Sequence, residues 1–419
     1  QMIVRDFVTG AMENTTAVSH AESAYQSADA LNDQNYWEPI IAHELAHHWF
    51  GDLVTTESWA NITVNESFAN YSEYLWLAHK YGKDEADYHL SNNTLQYLHR
   101  EDDFLKNLVR FGYDVRDDVF DLVSYNKGGA ILHMLRRYLG DEAFFQGITD
   151  YLKSNEYGTG EAHQLRLSFE KISGKDLSWF FNQWYFGNGN PKVEVKEQYD
   201  ASKKQLTVKI RQTQEENLYF QFPLDIDIYL GGKATRHTVW VSAKGENIFS
   251  FPAAKAPELV DINPEGVIVM EEEYLKSVKE LLYQVQHAPE LKSRMQAVTS
   301  LGENEGKEVL LAALRDPYFK VRNMALERLS NFALSKKELA QVEKLATSDP
   351  SNIVKSAAIW VLSSSKENKR YTALYEKALT TPSGAVKNAA LNAIAHTNPK
   401  RAKDFLEKAD PKELEIDQI

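Results

Sequence analysis

The 419-residue chain contains no cysteine. Disulfides and thiolate ligands are therefore excluded, and a metal site here must draw on His, Asp, Glu or water. Compartment stays open, because cysteine-free proteins occur in both redox environments. No run approaches the roughly 18 uninterrupted apolar residues of a membrane-crossing helix. Positive charge is also short: 47 Lys and Arg stand against 60 Asp and Glu, a net charge of −13. The deficit is uneven, −17 over residues 1–272 and +4 from Glu273 onward. An acidic first part repels nucleic acid and suits cationic ligands such as a peptide amino terminus, although acidity of this kind equally keeps a protein soluble. The opening, QMIVRDFVTG, shows neither an initiator Met nor a signal-peptide pattern. Val4 to Val8 reads as a strand already under way, so an upstream part carrying any targeting information is expected.

Length allows about three domains, and 43% hydrophobic residues suit globular cores. Residues 1–187 show helical apolar spacing over Glu38–Phe50, Val64–Tyr81, Asp84–His99, Tyr125–Leu139, Glu142–Lys153 and Ala162–Ile172. The aromatic cluster in Asp176–Phe186 closes that core, and GNGNP, Gly187 to Pro191, breaks it off. Residues 188–272 switch to period two, as in Leu206/Val208/Ile210 and Leu224/Ile226/Ile228, and read as a small antiparallel β domain. ENLYFQ, Glu216 to Gln221, matches a protease site used in expression tags, but its place inside a strand pattern favours chance. Residues 273–419 repeat: DPYFKVRNMALERL, DPSNIVKSAAIWVL and TPSGAVKNAALNAI begin at Asp316, Asp349 and Thr381. Small Ala at aligned positions and Pro before each helix describe stacked helix pairs, a HEAT-like α-solenoid.

The chemistry concentrates in Ile40 to Asp52, IIAHELAHHWFGD. Helix positions four apart differ by about 40° around the axis, so His43 and His47 share a face and can bind one zinc ion. Glu44, one step round, can reach a water on that ion. HExxH alone would arise by chance in roughly three chains of a hundred of this composition, so it needs partners. Glu66, on a second segment with helical character, supplies the third ligand of a two-His, one-carboxylate site. Asn70 and Glu73 lie at i+4 and i+7 from it, where either could orient a ligand imidazole; a surface Glu73 is the bland alternative. Tyr125, in SYNKGG, is the candidate donor to a developing oxyanion. His89, His99, His133 and His163 read as ordinary helix or surface residues.

Together GAMEN at Gly10–Asn14, HELAH, Glu66 and Tyr125 in YNKGG resemble the M1 zinc aminopeptidases, or gluzincins, and the likeness covers essentially the whole chain. The resemblance implies a multidomain α+β protein. A thermolysin-like, mostly α-helical catalytic domain would be followed by a small β-sandwich domain and the helical solenoid. It implies one zinc ion on His43, His47 and Glu66, with Glu44 as general base and Tyr125 stabilising the tetrahedral intermediate. Glu13 would bind the free α-amine of the peptide, Gly10 and Ala11 its backbone, and Met12 part of the first side-chain pocket. Two positions depart from the family pattern: His48 stands where Gln is usual, and Ser67 where Gly is. Family members carry an amino-terminal β domain, so the chain reads as a fragment lacking it. The expected partners are peptides with a free N-terminus, with no nucleic acid and no transmembrane segment; compartment and oligomeric state are not assigned. Two other readings are a zinc hydrolase of a non-peptide substrate and a non-catalytic HEAT-repeat scaffold.

Overall fold

The computed structural model describes residues 1–215 and 218–407. The chain folds into two compact units. The first comprises residues 1–22, 37–275 and 290–292. Strands β1 (Met2–Val4), β2 (Ala11–Met12) and β3 (Ser19–Ala21) form a sheet in the order β1–β3–β2. The strand expected over Val4–Val8 lies instead at Met2–Val4. The chain then turns, with Asp6 at φ 53° and Val8 exposed, because β3 pairs only with residues 2–4. Strand β2, which carries two residues of GAMEN, takes an edge of the sheet.

Helix α1 (Ala28–Asp33) belongs to the second unit. The first unit continues with α2 (Glu38–Ala46), β4 (Val54–Thr56), α3 (Thr63–Tyr81) and α4 (Lys83–Leu98). A single π-helical turn, Val123–Lys127, leads into α5 (Gly128–Leu139). Then follow α6 (Asp141–Asn155), β5 (Gly158–Gly160), α7 (Ala162–Ser173) and α8 (Ser178–Trp184). Helix α3 is the axle of this part: every residue from Thr63 to Asn70 is buried, and α2, α4, α5 and the π-turn all pack on it. A helix buried all round is normally apolar. This one carries Asn65, Glu66, Asn70 and Glu73 into the interior, where each polar group needs a partner. Phe180, Phe181, Trp184 and Tyr185 fill the core as the aromatic run implies.

The period-two region folds into β6 (Lys192–Asp200), β7 (Gln205–Gln212), β8 (Phe222–Leu230), β9 (Lys233–Val241), β10 (Glu246–Pro252), β11 (Leu259–Ile262) and β12 (Glu271–Glu273). They form two sheets, ordered β10–β7–β6–β12 and β11–β8–β9. Inward residues of both, among them Val208, Ile210, Leu224 and Ile226, join the core of the helical part. All pairings are antiparallel except β12 on β6, which is parallel; the strands between them supply the long crossover a parallel pair needs. Glu216 and Asn217 of the ENLYFQ stretch lie outside the described residues. Leu218–Gln221 is irregular rather than strand, tethered where Gln212 Oε1 accepts from the Phe220 amide at 2.9 Å and Gln214 donates to the Leu218 carbonyl at 2.9 Å.

The second unit comprises residues 23–36, 276–289 and 293–419, described as far as 407. Helices α9 (Val278–His287), α10 (Leu291–Thr299), α11 (Lys307–Ala313), α12 (Phe319–Leu329), α13 (Lys336–Ser348), α14 (Asn352–Ser364), α15 (Thr372–Ala378), α16 (Gly384–Thr397) and α17 (Pro399–Leu406) build it. The aligned residues Val321/Ala325/Leu329, Val354/Ala358/Leu362 and Val386/Ala390/Ile394 are all buried, which is why small Ala recurs between close-packed helices. The Asp that opens two of the repeats accepts from a buried arginine of the preceding one. Asp316 takes Arg294 Nε at 2.8 Å, and Asp349 takes Arg322 twice, at 2.8 and 2.7 Å. Helix α1 docks here too: Asp33 accepts from Ser383 Oγ at 2.5 Å and from the Ala385 amide at 2.9 Å. Removing one partner of a buried pair strands the other charge. Asp349→Ala is therefore expected to destabilise this unit by about 3–5 kcal/mol in urea unfolding followed by circular dichroism. A change below about 1 kcal/mol would contradict a buried-pair role. Among the described residues no helix is long and apolar enough to cross a membrane.

Candidate metal centre

Helix α2 begins where Pro39 presets the first turn, and its start is pinned by Glu38. That carboxylate accepts from Trp76 Nε1 at 2.7 Å, Lys80 Nζ at 2.5 Å and Tyr81 Oη at 2.7 Å, all at the far end of α3. The helix ends at Ala46 rather than Phe50; His47 is its C-cap, still in the αR region, and the chain turns through Gly51 at φ 151°. The four-residue spacing survives that ending. His43 and His47 face each other edge to face, with ring centroids 4.9 Å apart.

Glu66 enters from the first turn of α3. Its Oε2 lies 3.4 Å from Nε2 of both His43 and His47, is buried, and makes no hydrogen bond. A tetrahedral ion with ligands at about 2.0–2.1 Å separates them by about 3.3–3.4 Å. The donor set and its spacing therefore fit a zinc-sized cation, and His43, His47 and Glu66 form a buried group able to hold a metal. The outer atoms agree. His47 Nδ1 lies 2.9 Å from the Phe50 carbonyl, which can only accept, so Nδ1 carries the proton and Nε2 presents its lone pair. His43 Nδ1 lies 2.7 Å from Glu73 Oε1 and is set in the same tautomer. Of the two outer candidates on α3, Glu73 meets the ring, and Asn70 Nδ2 donates to the same oxygen at 3.4 Å. Burial works against an imidazolium at His43, but the Glu66 and Glu73 carboxylates outweigh it and raise its pKa to about 10.

Glu44 is buried beside the group, its Oε2 without a partner. Burial pushes its carboxyl up to about 7, against the pull of His43 and His47. Carboxylate oxygens of Glu13 and Glu44 and a ring nitrogen of His47 all lie within 4.8 Å of one another, so GAMEN reaches the same place. Thr15 Oγ1 donates to Asp52 Oδ1 at 2.7 Å and His48 Nδ1 lies 3.0 Å from Oδ2, which ties the GAMEN segment to the turn after α2. His48 thus faces Asp52 and joins neither group of metal-competent side chains among the described residues. Gly10 accepts from the Ala21 amide at 2.9 Å, Ala11 pairs with His20, and Met12 is 36% exposed on the edge strand.

Tyr125 sits in the π-helical turn, its ring stacked on His43 at 5.8 Å and 12°. Burial first, and then the negative charge of Glu66, hold its phenol protonated, as a hydrogen-bond donor must be. The glycine pair of YNKGG explains how it gets there. A Cβ at Gly128 would lie 1.8 Å from Ser67 Oγ, and one at Gly129 2.3 Å from Asn70 Oδ1. Only glycine lets α5 start this close to α3, and Ser67, at a departure from the family pattern, fits by donating to the Ser124 carbonyl at 2.6 Å. Every residue that the sequence nominates for the site therefore reaches this region or the edge strand beside it. His89 is the addition that sequence reasoning misses: its Nε2 lies 2.7 Å from Glu73 Oε2. Its distance of sixteen residues from Glu73, on a different helix, carries no sequence signal.

Known proteins bear on the site. A family model described as the peptidase family M1 domain matches residues 1–184, and one for HEAT repeats matches residues 278–363. The chain is similar to a leucyl aminopeptidase of Saccharolobus solfataricus, 31% identical over 246 residues, 56% of this chain and 30% of that one. It is also similar to tricorn protease-interacting factor F2 of Thermoplasma acidophilum, 37% identical over 202 residues, 46% of this chain and 25% of that one. A crystal structure of Legionella pneumophila aminopeptidase A in complex with aspartic acid shares the fold, with TM-score 0.64 at 17% identity, over 97% of this chain and 50% of that one. Those matches thus take in half or less of each relative's length. The part of the chain that matches the peptidase family M1 domain, residues 1–184, is thus the part that carries this site.

Proposed function

We propose that the chain is a zinc-dependent aminopeptidase, hydrolysing the N-terminal peptide bond of peptides. The observation that carries this reading is the meeting of two groups. A His43–His47–Glu66 set, with Glu66 Oε2 3.4 Å from Nε2 of each imidazole, stands next to a Glu13 carboxylate within 4.8 Å of Glu44 and His47. Zinc on the first group would supply an acidified water and a Lewis acid for the scissile carbonyl. Glu44 takes the proton of the attacking water and hands it to the leaving amine, a task suited to a carboxyl poised near neutrality. Tyr125 donates its phenolic proton as a hydrogen bond to the carbonyl oxygen while negative charge grows there. Glu13 pairs with the α-ammonium group, and the edge strand at Gly10 and Ala11 offers main-chain hydrogen bonds to an extended peptide. Met12 lies beside the first side chain. Anchoring the free α-amine of the same residue whose carbonyl is attacked makes the enzyme an exopeptidase.

Glu13 gives the sharpest test of that direction. Glu13→Gln is expected to lower kcat/KM for unblocked peptides by about 10²-fold, since a charge-assisted pair becomes a neutral one. Peptides blocked at the N-terminus should be refused by the wild type and gain relative to free ones in the variant. Equal wild-type turnover of blocked and free peptides, read by release of free amino acid, would rule out an exopeptidase.

A further inference from the structure

We infer that His89 is a positioning residue for the metal centre, bracing Glu73 and through it the His43 ring; this rests on the zinc reading above. Glu73 is buried on α3, and its two oxygens are divided between two other helices. Oε1 lies 2.7 Å from His43 Nδ1 on α2, and Oε2 lies 2.7 Å from His89 Nε2 on α4. Both separations are those of charge-assisted hydrogen bonds.

A carboxylate held by one oxygen can still rotate about its last torsion, and its lone pairs sweep with it. His89 removes that freedom. With Oε2 tied to α4, the plane of the carboxylate is set, Oε1 points along one direction, and the His43 ring that donates to it has one orientation. The His43 lone pair then meets the ion without further reorganisation. Asn93, one turn further along α4, puts its side-chain amide 3.2 Å from His89 Nε2. The backbone carbonyl of Asn93 accepts from Asn126 Nδ2 at 3.1 Å, beside Tyr125. The same turn of α4 therefore braces the His43 side of the metal group and the π-turn that carries the phenol.

Packing is not what His89 is for. Its side chain is 23% exposed, whereas Glu73 beyond it is at 10%, so the ring caps the carboxylate more than it fills a core. Outer partners of this kind alter metal affinity by about 10–100-fold.

The test is zinc affinity of the full chain, by competition with a chelator, for wild type, His89→Phe and His89→Gln. A Gln amide reaches about as far as Nε2 and can still donate to Glu73; Phe cannot. His89→Phe is expected to bind zinc about tenfold more weakly and to shift the visible absorption of the cobalt-substituted protein. His89→Gln should keep affinity within about threefold and the wild-type cobalt spectrum. Unchanged affinity and spectrum in His89→Phe, with wild type binding zinc, overturn the inference alone. So does equal weakening in both variants in step with a fall in Tm, which is what a purely structural role predicts. A wild type that takes up no zinc overturns the functional reading itself, and this inference with it.

Discussion

Glu44→Gln is expected to lower kcat by about 10³-fold while leaving zinc content and fold unchanged. Glutamine has the shape of glutamate, so the buried space beside His43 and His47 stays filled, but an amide cannot accept and return a proton. Glu44 is not one of the three proposed ligands His43, His47 and Glu66, so the ion should be retained. The loss should therefore fall on kcat, with KM for a free peptide nearly constant, because Glu13 and the edge strand hold the ground state. The measurement is steady-state release of free amino acid at equal zinc content by elemental analysis. Activity within about tenfold of wild type would remove Glu44 from the mechanism.

Glu66→Gln should be at least as severe, by a different route. Two imidazoles and one carboxylate make up the donor set, and the carboxylate is the one anionic donor among them. An amide keeps the volume but gives up the charge, and the free energy of a three-ligand site falls by about a third. For a site of about 12 kcal/mol that is about 4 kcal/mol, on the order of 10³-fold in zinc affinity. The variant should lose zinc on dialysis and with it all measurable turnover, with partial recovery at high added zinc. A Glu66→Gln protein that retains stoichiometric zinc after dialysis would show that the ion is held elsewhere. The two variants separate cleanly: the first keeps metal and loses rate, the second loses metal.

Much of the metal group is legible in the sequence, because it is written in local periodicity. His43 and His47 share a face by helical arithmetic, and that arithmetic outlasts the early end of α2 at Ala46, since His47 keeps αR backbone angles as the C-cap. Glu66 can be nominated because its segment is helical. That its Oε2 lands 3.4 Å from both rings depends on how α3 packs against α2, which no spacing encodes. Tyr125 illustrates the same divide. A glycine pair follows it in the sequence, but only the packed structure shows the close approach there and names Ser67 and Asn70 as the neighbours that forbid a side chain. The first strand falls two residues from its expected start for a comparable reason: Val8 has strand propensity, but β3 offers partners only to Met2–Val4.

By itself the sequence determined the period of each element, the ligand pair on α2, the family signature and the repeat of the helical tail, all of which depend on residues near one another in the chain. Tertiary structure alone decided which buried carboxylate serves which imidazole. In the sequence Glu73 is one of two candidates on α3, with a surface role as the alternative, and His89 reads as an ordinary helix residue. A buried Glu73 with an oxygen left over must find a second donor, and the helix packed nearest that oxygen happens to present His89. Such a pairing is a property of interhelical geometry, fixed by packing across sixteen residues of intervening chain. The absence of cysteine has its counterpart here: with no thiolate available, the negative charge beside the two imidazoles comes from the buried carboxylates of Glu66 and Glu73.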